Sequence, residues 1–105
     1  MEIVKFNKIL EDQLEMIKSV FSRKRPEYAS DVEVFSNFEK SVGLSFTTSR
    51  EKVAWEFAVK HFQSIKDLIE TNEKGGVISD DLIHEKFTDA INYLILIKAM
   101  LLEKK

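Results

Sequence analysis

The chain has no cysteine among its 105 residues. Disulfide bridges, thiolate zinc sites and thiol chemistry are therefore excluded, and the absence fits a reducing compartment. The first residues lack the apolar core of a signal peptide. The most apolar run, Ala90–Ile97, is shorter than the ~20 residues that cross a bilayer. We therefore expect a cytoplasmic protein that has no membrane partner.

Glycine and proline are also scarce, with 3 Gly and 1 Pro. The net charge is −2, so the chain has no surplus of positive charge. The only adjacent glycines, Gly75 and Gly76, lack the Lys-Ser/Thr sequel of a phosphate-binding loop. Broad nucleic-acid binding needs a basic surplus that displaces counterions, so we do not expect it. The sequence contains neither a His-Glu-x-x-His pattern nor a nucleophile elbow, and its 2 histidines argue against a zinc enzyme.

Helical periodicity covers most of the sequence. Apolar residues recur every three or four positions from Ile3 to Phe21, and charged residues fill the opposite face. Such patterns predict an all-α fold, with three long helices and one short helix, in a single domain over residues 1–105. The predicted helices are roughly 3–24, a short one that ends at Gly43, roughly 48–71, and Ser79 to about Glu103.

Local signals set the expected ends of these helices. The residue before Pro26 is pushed out of the α region, so the first helix should end near residue 24. Asp31 is the expected N-cap of the short helix. Thr48 and Glu51 form the expected capping box of the third helix, with Thr48 as the cap.

The third and fourth helices are apolar on nearly every side, which predicts that they are buried on nearly every side. A chain of 105 residues cannot cover both helices by itself, so we expect part of them to face another chain. The short loop over residues 71–78 should make the two helices antiparallel neighbours. We therefore predict an antiparallel helical bundle that forms a dimer or a larger homo-oligomer.

A polar cluster stands on one face of the fourth helix, where Glu85, Asp89 and Asn92 follow at i, i+4 and i+7. Two carboxylates and an amide that turn toward a core need partners. A divalent metal ion would serve, because hard cations prefer oxygen ligands, and so would basic side chains. The alternative is a helix turn that is still near solvent, where the helix dipole stabilises the acids.

A second polar group lies on the third helix and consists of Lys60, His61, Ser64 and Asp67. In an antiparallel pair it would face the carboxylates of the fourth helix. A mixed patch of this kind is typical of a phosphate-plus-metal site, and equally of an interhelical ion-pair network. For His61 alone, a hydrogen-bonded core or surface histidine is the simpler interpretation.

Basic residues gather where the first helix should end, in Arg23-Lys24-Arg25, and Tyr28 follows closely. One interpretation is that their charge complements the helix dipole. The other is a phosphate clamp in which Tyr28 stacks on the ligand or bonds it through its hydroxyl.

The segment Glu85–Leu94 places a Glu and an Asp on one helix turn before an apolar run. In this it resembles the second acidic motif of the all-α nucleoside-triphosphate pyrophosphohydrolases, the MazG-like superfamily. A wider set of residues from Arg25 to Leu94 resembles small phage proteins at the margins of that superfamily. The resemblance implies a nucleotide ligand and Mg²⁺ as the cofactor, with Asp67, Glu85 and Asp89 as the metal ligands.

The chain departs from that family on its third helix. Active members carry a Glu-Glu-x-x-Glu cluster there, whereas this helix has Lys60 and His61 where carboxylates should be dense. Since a two-metal hydrolase needs acids to hold its ions, the number of ions would fall to one or none.

Three functions follow from this comparison. The first is a phage factor, in the cytoplasm of a host cell, that captures a nucleotide or nucleotide signal through Arg25, Tyr28, Lys60 and His61. The second is a magnesium-dependent nucleotide pyrophosphohydrolase in which Asp67 or Glu70 completes the metal site. The third is a non-enzymatic protein that binds a host protein and inhibits it or acts as its scaffold.

Overall fold

The structure is a computed structural model that describes residues 1–28, 33–46 and 48–104, without the side chains of residues 24–28. The described residues form helices and connecting turns, with no strand among them, which confirms the predicted all-α class. The four helices are α1 (Ile3–Tyr28), α2 (Ser36–Leu44), α3 (Arg50–Glu73) and α4 (Asp80–Glu103). None of these four helices, as far as the structure describes them, has a stretch with the length and apolar character of a membrane span.

Two of the expected helix ends are wrong. α1 continues past Pro26 to Tyr28, because the extended preference of a residue before proline is a tendency that a helix can override. α3 is capped by Ser49, whose hydroxyl accepts from the backbone N–H of Lys52 at 3.2 Å, and not by Thr48. The expected Asp31 cap lies outside the described residues, and α2 begins after Phe35 without a side-chain cap.

The start of α4 is as expected, since the Ser79 hydroxyl accepts from the backbone N–H of Leu82 at 3.2 Å. α3 ends in a turn where Gly75 has a φ of 78°. Other residues adopt this left-handed backbone only with strain, so glycine is needed at this position.

The core lies where α2 packs against the start of α3 and the second half of α4. Its buried members are apolar side chains from all three of these segments: Phe35, Phe38, Val53, Ala54, Leu96 and Met100. Phe21 of α1 packs against this cluster, together with Tyr93 of α4. The most extensive contact between two helices joins α3 and α4.

An ion-pair group closes the same end of the molecule, and we call it the Arg50 cluster. The guanidinium of Arg50 donates to the carboxylates of Glu39 on α2 (3.1 Å), Glu51 on α3 (3.2 Å) and Glu103 on α4 (3.3 Å). It also reaches the backbone carbonyl of Met100 at 3.4 Å. One side chain therefore links the first turns of α2 and α3 to the last turn of α4.

Large apolar surfaces of α3 and α4 stay exposed within the single chain, which by itself does not bury these helices on nearly every side. On α3 only Val53, Ala54 and Ala58 are buried. The surface of α3 that α2 and α4 cover is therefore narrower than its apolar surface. The exposed apolar side chains of α3 and α4 include Trp55, Ile69, Leu94, Leu101 and Leu102. Residues 1 and 2 and the part of α1 up to residue 11 are exposed throughout.

Candidate functional site

An open cleft of about 740 Å³ lies between α1 and α4. A hollow of this size falls within the ~300–1,000 Å³ that small-molecule sites usually occupy. Its polar lining consists of four carboxylates, an arginine, a histidine and two hydroxyls, from Glu15, Asp81, Glu85, Asp89, Arg23, His84, Ser19 and Thr88. We refer to it as the α1–α4 cleft.

Helical spacing places these side chains in the cleft. Glu15, Ser19 and Arg23 are four residues apart along α1 and so follow one face of that helix. Residues 81–89 of α4 supply the opposite wall. The side-chain amide of Gln13 joins the two walls by donating to the buried hydroxyl of Thr88 at 3.0 Å.

Asp89 lies between the cleft and α3, and its side chain is only 12% exposed. Its carboxylate is 3.9 Å from Nδ1 of His61. The His61 ring stacks on the ring of Tyr93, with the centroids 5.0 Å apart. The predicted approach of His61 to the acidic face of α4 therefore occurs, through Asp89.

Asn92, the third member of the predicted polar face, is buried one turn beyond Thr88. It is 6% exposed. Among the described residues, neither its amide nitrogen nor its amide oxygen has a hydrogen-bond partner. Buried polar groups are almost always paired with protein or ordered water, so this amide is available to a further polar group.

The other predicted site residues do not meet in this cleft. Lys60 is exposed, and its ammonium lies 5.7 Å from the ring centroid of Phe57. Asp67 is exposed and accepts a hydrogen bond from Gln63 at 2.9 Å. The side chains of Arg25 and Tyr28 lie outside the described residues.

The acids of the described residues do not form a metal site by themselves. No three of their Asp, Glu or His side chains come close enough together to hold an ion. Glu85 and Asp89 both line the cleft, but Asp67 is not part of its lining. A magnesium ion held by the protein alone therefore does not fit the described arrangement of the three predicted ligands.

Five polar residues of the lining are not predicted from the sequence, namely Glu15, Ser19, Asp81, His84 and Thr88. The four-residue spacing from Glu15 to Arg23 is visible in the sequence and indicates a shared face. Nothing in the sequence shows that this face of α1 lies against the start of α4, because the two helices are far apart along the chain.

No family model, no curated protein and no solved structure matches this chain.

Proposed function

We propose that the α1–α4 cleft binds a nucleotide together with its magnesium ion. The observation that carries this proposal is the composition of the lining, in which Arg23 shares one cleft with Glu85 and Asp89. Arginine binds phosphate oxygens through paired N–H donors. Magnesium is commonly held by one or two carboxylates plus the phosphates of the ligand, which is what Glu85 and Asp89 would supply.

The charge of the lining is the reason that the ion should arrive with the nucleotide. Four carboxylates against one arginine would repel a bare polyphosphate. A magnesium ion already coordinated by the phosphates cancels much of that repulsion and presents a cation to the carboxylates. Binding should therefore depend on magnesium.

Capture is better supported than hydrolysis. A magnesium-dependent pyrophosphohydrolase needs several acids that hold the ions and activate water. The described residues bring no three such groups together. The hydrolase alternative therefore has weaker support than nucleotide binding.

The first measurement is to incubate the protein with a pool of nucleotides and magnesium and to identify what stays bound by mass spectrometry. The affinity of the recovered nucleotide is then compared between wild type, Arg23→Ala and Asp89→Asn. Each variant removes a charge-assisted contact of about 1.5–3 kcal/mol, so the affinity should fall roughly 10- to 100-fold. Lys60→Ala is the matched control, because Lys60 does not line the cleft.

Each outcome of this experiment has a definite meaning. Wild-type affinity in both cleft variants would contradict the proposed site, and so would a loss confined to Lys60→Ala. Release of a monophosphate into solution would establish the hydrolase alternative. A protein that neither binds nor converts any nucleotide would contradict the proposed function.

A second candidate function is the binding of another protein, which the exposed apolar side chains of all three long helices favour. We also propose that the four helices form an antiparallel bundle that assembles into a homo-oligomer, because association would cover these surfaces. Light scattering at micromolar concentration gives the mass in solution, and a monomer would contradict the assembly.

A further inference from the structure

Two rows of mostly apolar side chains lie on neighbouring helices, α3 and α4, and stay largely uncovered in the described structure. The row on α3 follows steps of four, three, four and three residues, which is the spacing of a coiled-coil seam. The row on α4 follows steps of seven residues. The members are Trp55, Val59, Phe62, Lys66 and Ile69 on α3, and Phe87, Leu94 and Leu101 on α4. Except for the half-buried Phe62, the apolar members are between 39% and 56% exposed.

Both rows point to the same side of the α3–α4 pair, away from α2. The ring of Phe38 on α2 meets the ring of Phe57 on α3, with the centroids 6.2 Å apart, and shares the core with Leu96 of α4. Trp55 precedes Phe57 by two residues, which turns it by about 200° around the helix. Leu94 stands in the same relation to Leu96. The two rows therefore form one surface, which we call the α3–α4 face.

The chain by itself exposes more surface than a folded monomer of its mass. Its accessible surface is 7835 Å² at 12.2 kDa. Folded monomers of that mass expose about 6,100 Å², so the excess is about 1,700 Å². Each partner of a standard interface buries ~800 Å². The chain therefore has the spare surface that a stable dimer needs.

The spacing of the rows indicates what kind of surface covers them. A seam with this spacing packs against another helix of the same period, because each side chain enters a hole between residues of the facing helix. Two such rows on neighbouring helices are matched together by another pair of helices with the same two rows. The α3–α4 face of a second copy is such a pair, and pairing of identical surfaces is the commonest form of association.

We infer that the α3–α4 face binds the same face of a second copy, so that four helices enclose a shared apolar core. Lys66 is the one charged member of the rows, and its long stem allows the ammonium to reach solvent at the rim. The inference rests on the proposed homo-oligomer and names the surface that forms it. It does not depend on nucleotide binding.

Trp55 reports on this contact without any substitution, because it is the only tryptophan of the chain and is 50% exposed in the α3–α4 face. The wild-type protein is diluted from high to low micromolar concentration and below, while light scattering follows its mass. Acrylamide quenching and the emission wavelength of Trp55 are measured on the same samples. In the dimer the quenching should be weaker and the emission should lie at shorter wavelength than in the monomer.

Substitutions then locate the contact. Leu94→Glu on α4 and Ile69→Glu on α3 should each weaken dimerisation at least roughly 100-fold, because each copy would bury an unpaired carboxylate. The matched control is Leu10→Glu, since Leu10 is also an exposed leucine in a long helix but lies on α1, outside the face. This variant should dimerise as the wild type does. Circular dichroism checks that all three variants keep their helices.

The outcomes separate this inference from the proposals above. A wild-type dimer in which Trp55 is quenched as strongly as in the monomer would place the contact on another surface and would overturn the α3–α4 inference alone. A dimer that is lost in Leu10→Glu but persists in Leu94→Glu and Ile69→Glu would overturn it as well. A monomeric wild-type protein would overturn both this inference and the homo-oligomer, whether or not the protein binds a nucleotide.

Discussion

Asn92 has a buried side-chain amide whose hydrogen-bonding groups are not satisfied by the described residues. It is 6% exposed, and both polar atoms of its side chain lack a partner among the described residues. An amide buried in this way costs about 1–3 kcal/mol. Such a cost is offset where the amide bonds to a ligand or to an ordered water. Asn92 lies one turn beyond Thr88 and Asp89, which line the cleft.

We expect Asn92→Leu to stabilise the protein. Leucine has the same branched arrangement of side-chain heavy atoms and removes the unpaired polar atoms, so the free energy of unfolding should rise by about 1–3 kcal/mol. Urea unfolding measures this change. Asn72→Leu, an exposed position in the last turn of α3, is the control and should stay within about 0.5 kcal/mol of wild type. A destabilised Asn92→Leu protein would contradict this expectation.

The helices themselves could be predicted closely, because periodicity and caps are local properties. The Ser79 cap and the extent of α4 illustrate this, since both follow from a few neighbouring residues. Pro26 shows the limit, because a single unfavourable residue does not decide where a long helix ends. Phe6 and Leu10 show a second limit, because periodicity reveals which residues share a face but not what covers that face.

The cap of α3 provides a test at this scale, because two adjacent hydroxyls compete for the role. The Ser49 hydroxyl accepts from the backbone N–H of Lys52, while the Thr48 hydroxyl accepts from the exposed ammonium of that lysine. Ser49→Ala should therefore lower the free energy of unfolding by about 1 kcal/mol. Thr48→Ala should leave the urea midpoint near the wild-type value. An equal loss of unfolding free energy in both variants would show that Thr48 also caps α3.

The two ends of the molecule differ in how much they bury, and we call them the closed end and the open end. The buried core and the Arg50 cluster occupy the closed end, where α2, the start of α3 and the end of α4 meet. The open end consists of the first half of α1, which has no buried residue, and of the α1–α4 cleft, which is lined by the first half of α4, whereas the core uses the second half. Function should concentrate at the open end, because local opening and binding come most easily where few groups are buried.

The cleft could not be predicted from the sequence, because its two walls are far apart along the chain and meet only in the folded molecule. The loop between α3 and α4 is short, so their contact through His61 and Asp89 could be expected. α1 and α4 are joined by no short connection, and only packing decides that Glu15 and Arg23 lie in one cleft with Glu85. The sequence therefore predicts the acids of α4 and the approach of His61 to them, but not the wall that α1 contributes.

The Arg50 cluster makes the stability of the closed end depend on pH. Burial alone would raise the pKa of the Glu51 carboxyl, but bonds from its own backbone N–H, from Lys104 and from Arg50 outweigh burial and lower it below its usual 4.5. Because the folded state binds this proton less readily than the unfolded chain, the stabilisation is complete above about pH 4.5. It is lost as the pH falls through the lowered folded-state pKa.

Glu51→Gln should therefore be less stable than wild type near pH 7, and the difference should shrink below about pH 4 as the wild-type carboxyl takes up its proton. Urea unfolding midpoints of both proteins across this range measure the difference. Lys52→Gln is the matched control, because it removes an exposed charge beside the cluster but none of the cluster's bonds, and it should follow wild type at every pH. A difference between Glu51→Gln and wild type that stays constant down to about pH 3 would show that protonation of Glu51 does not weaken the closed end.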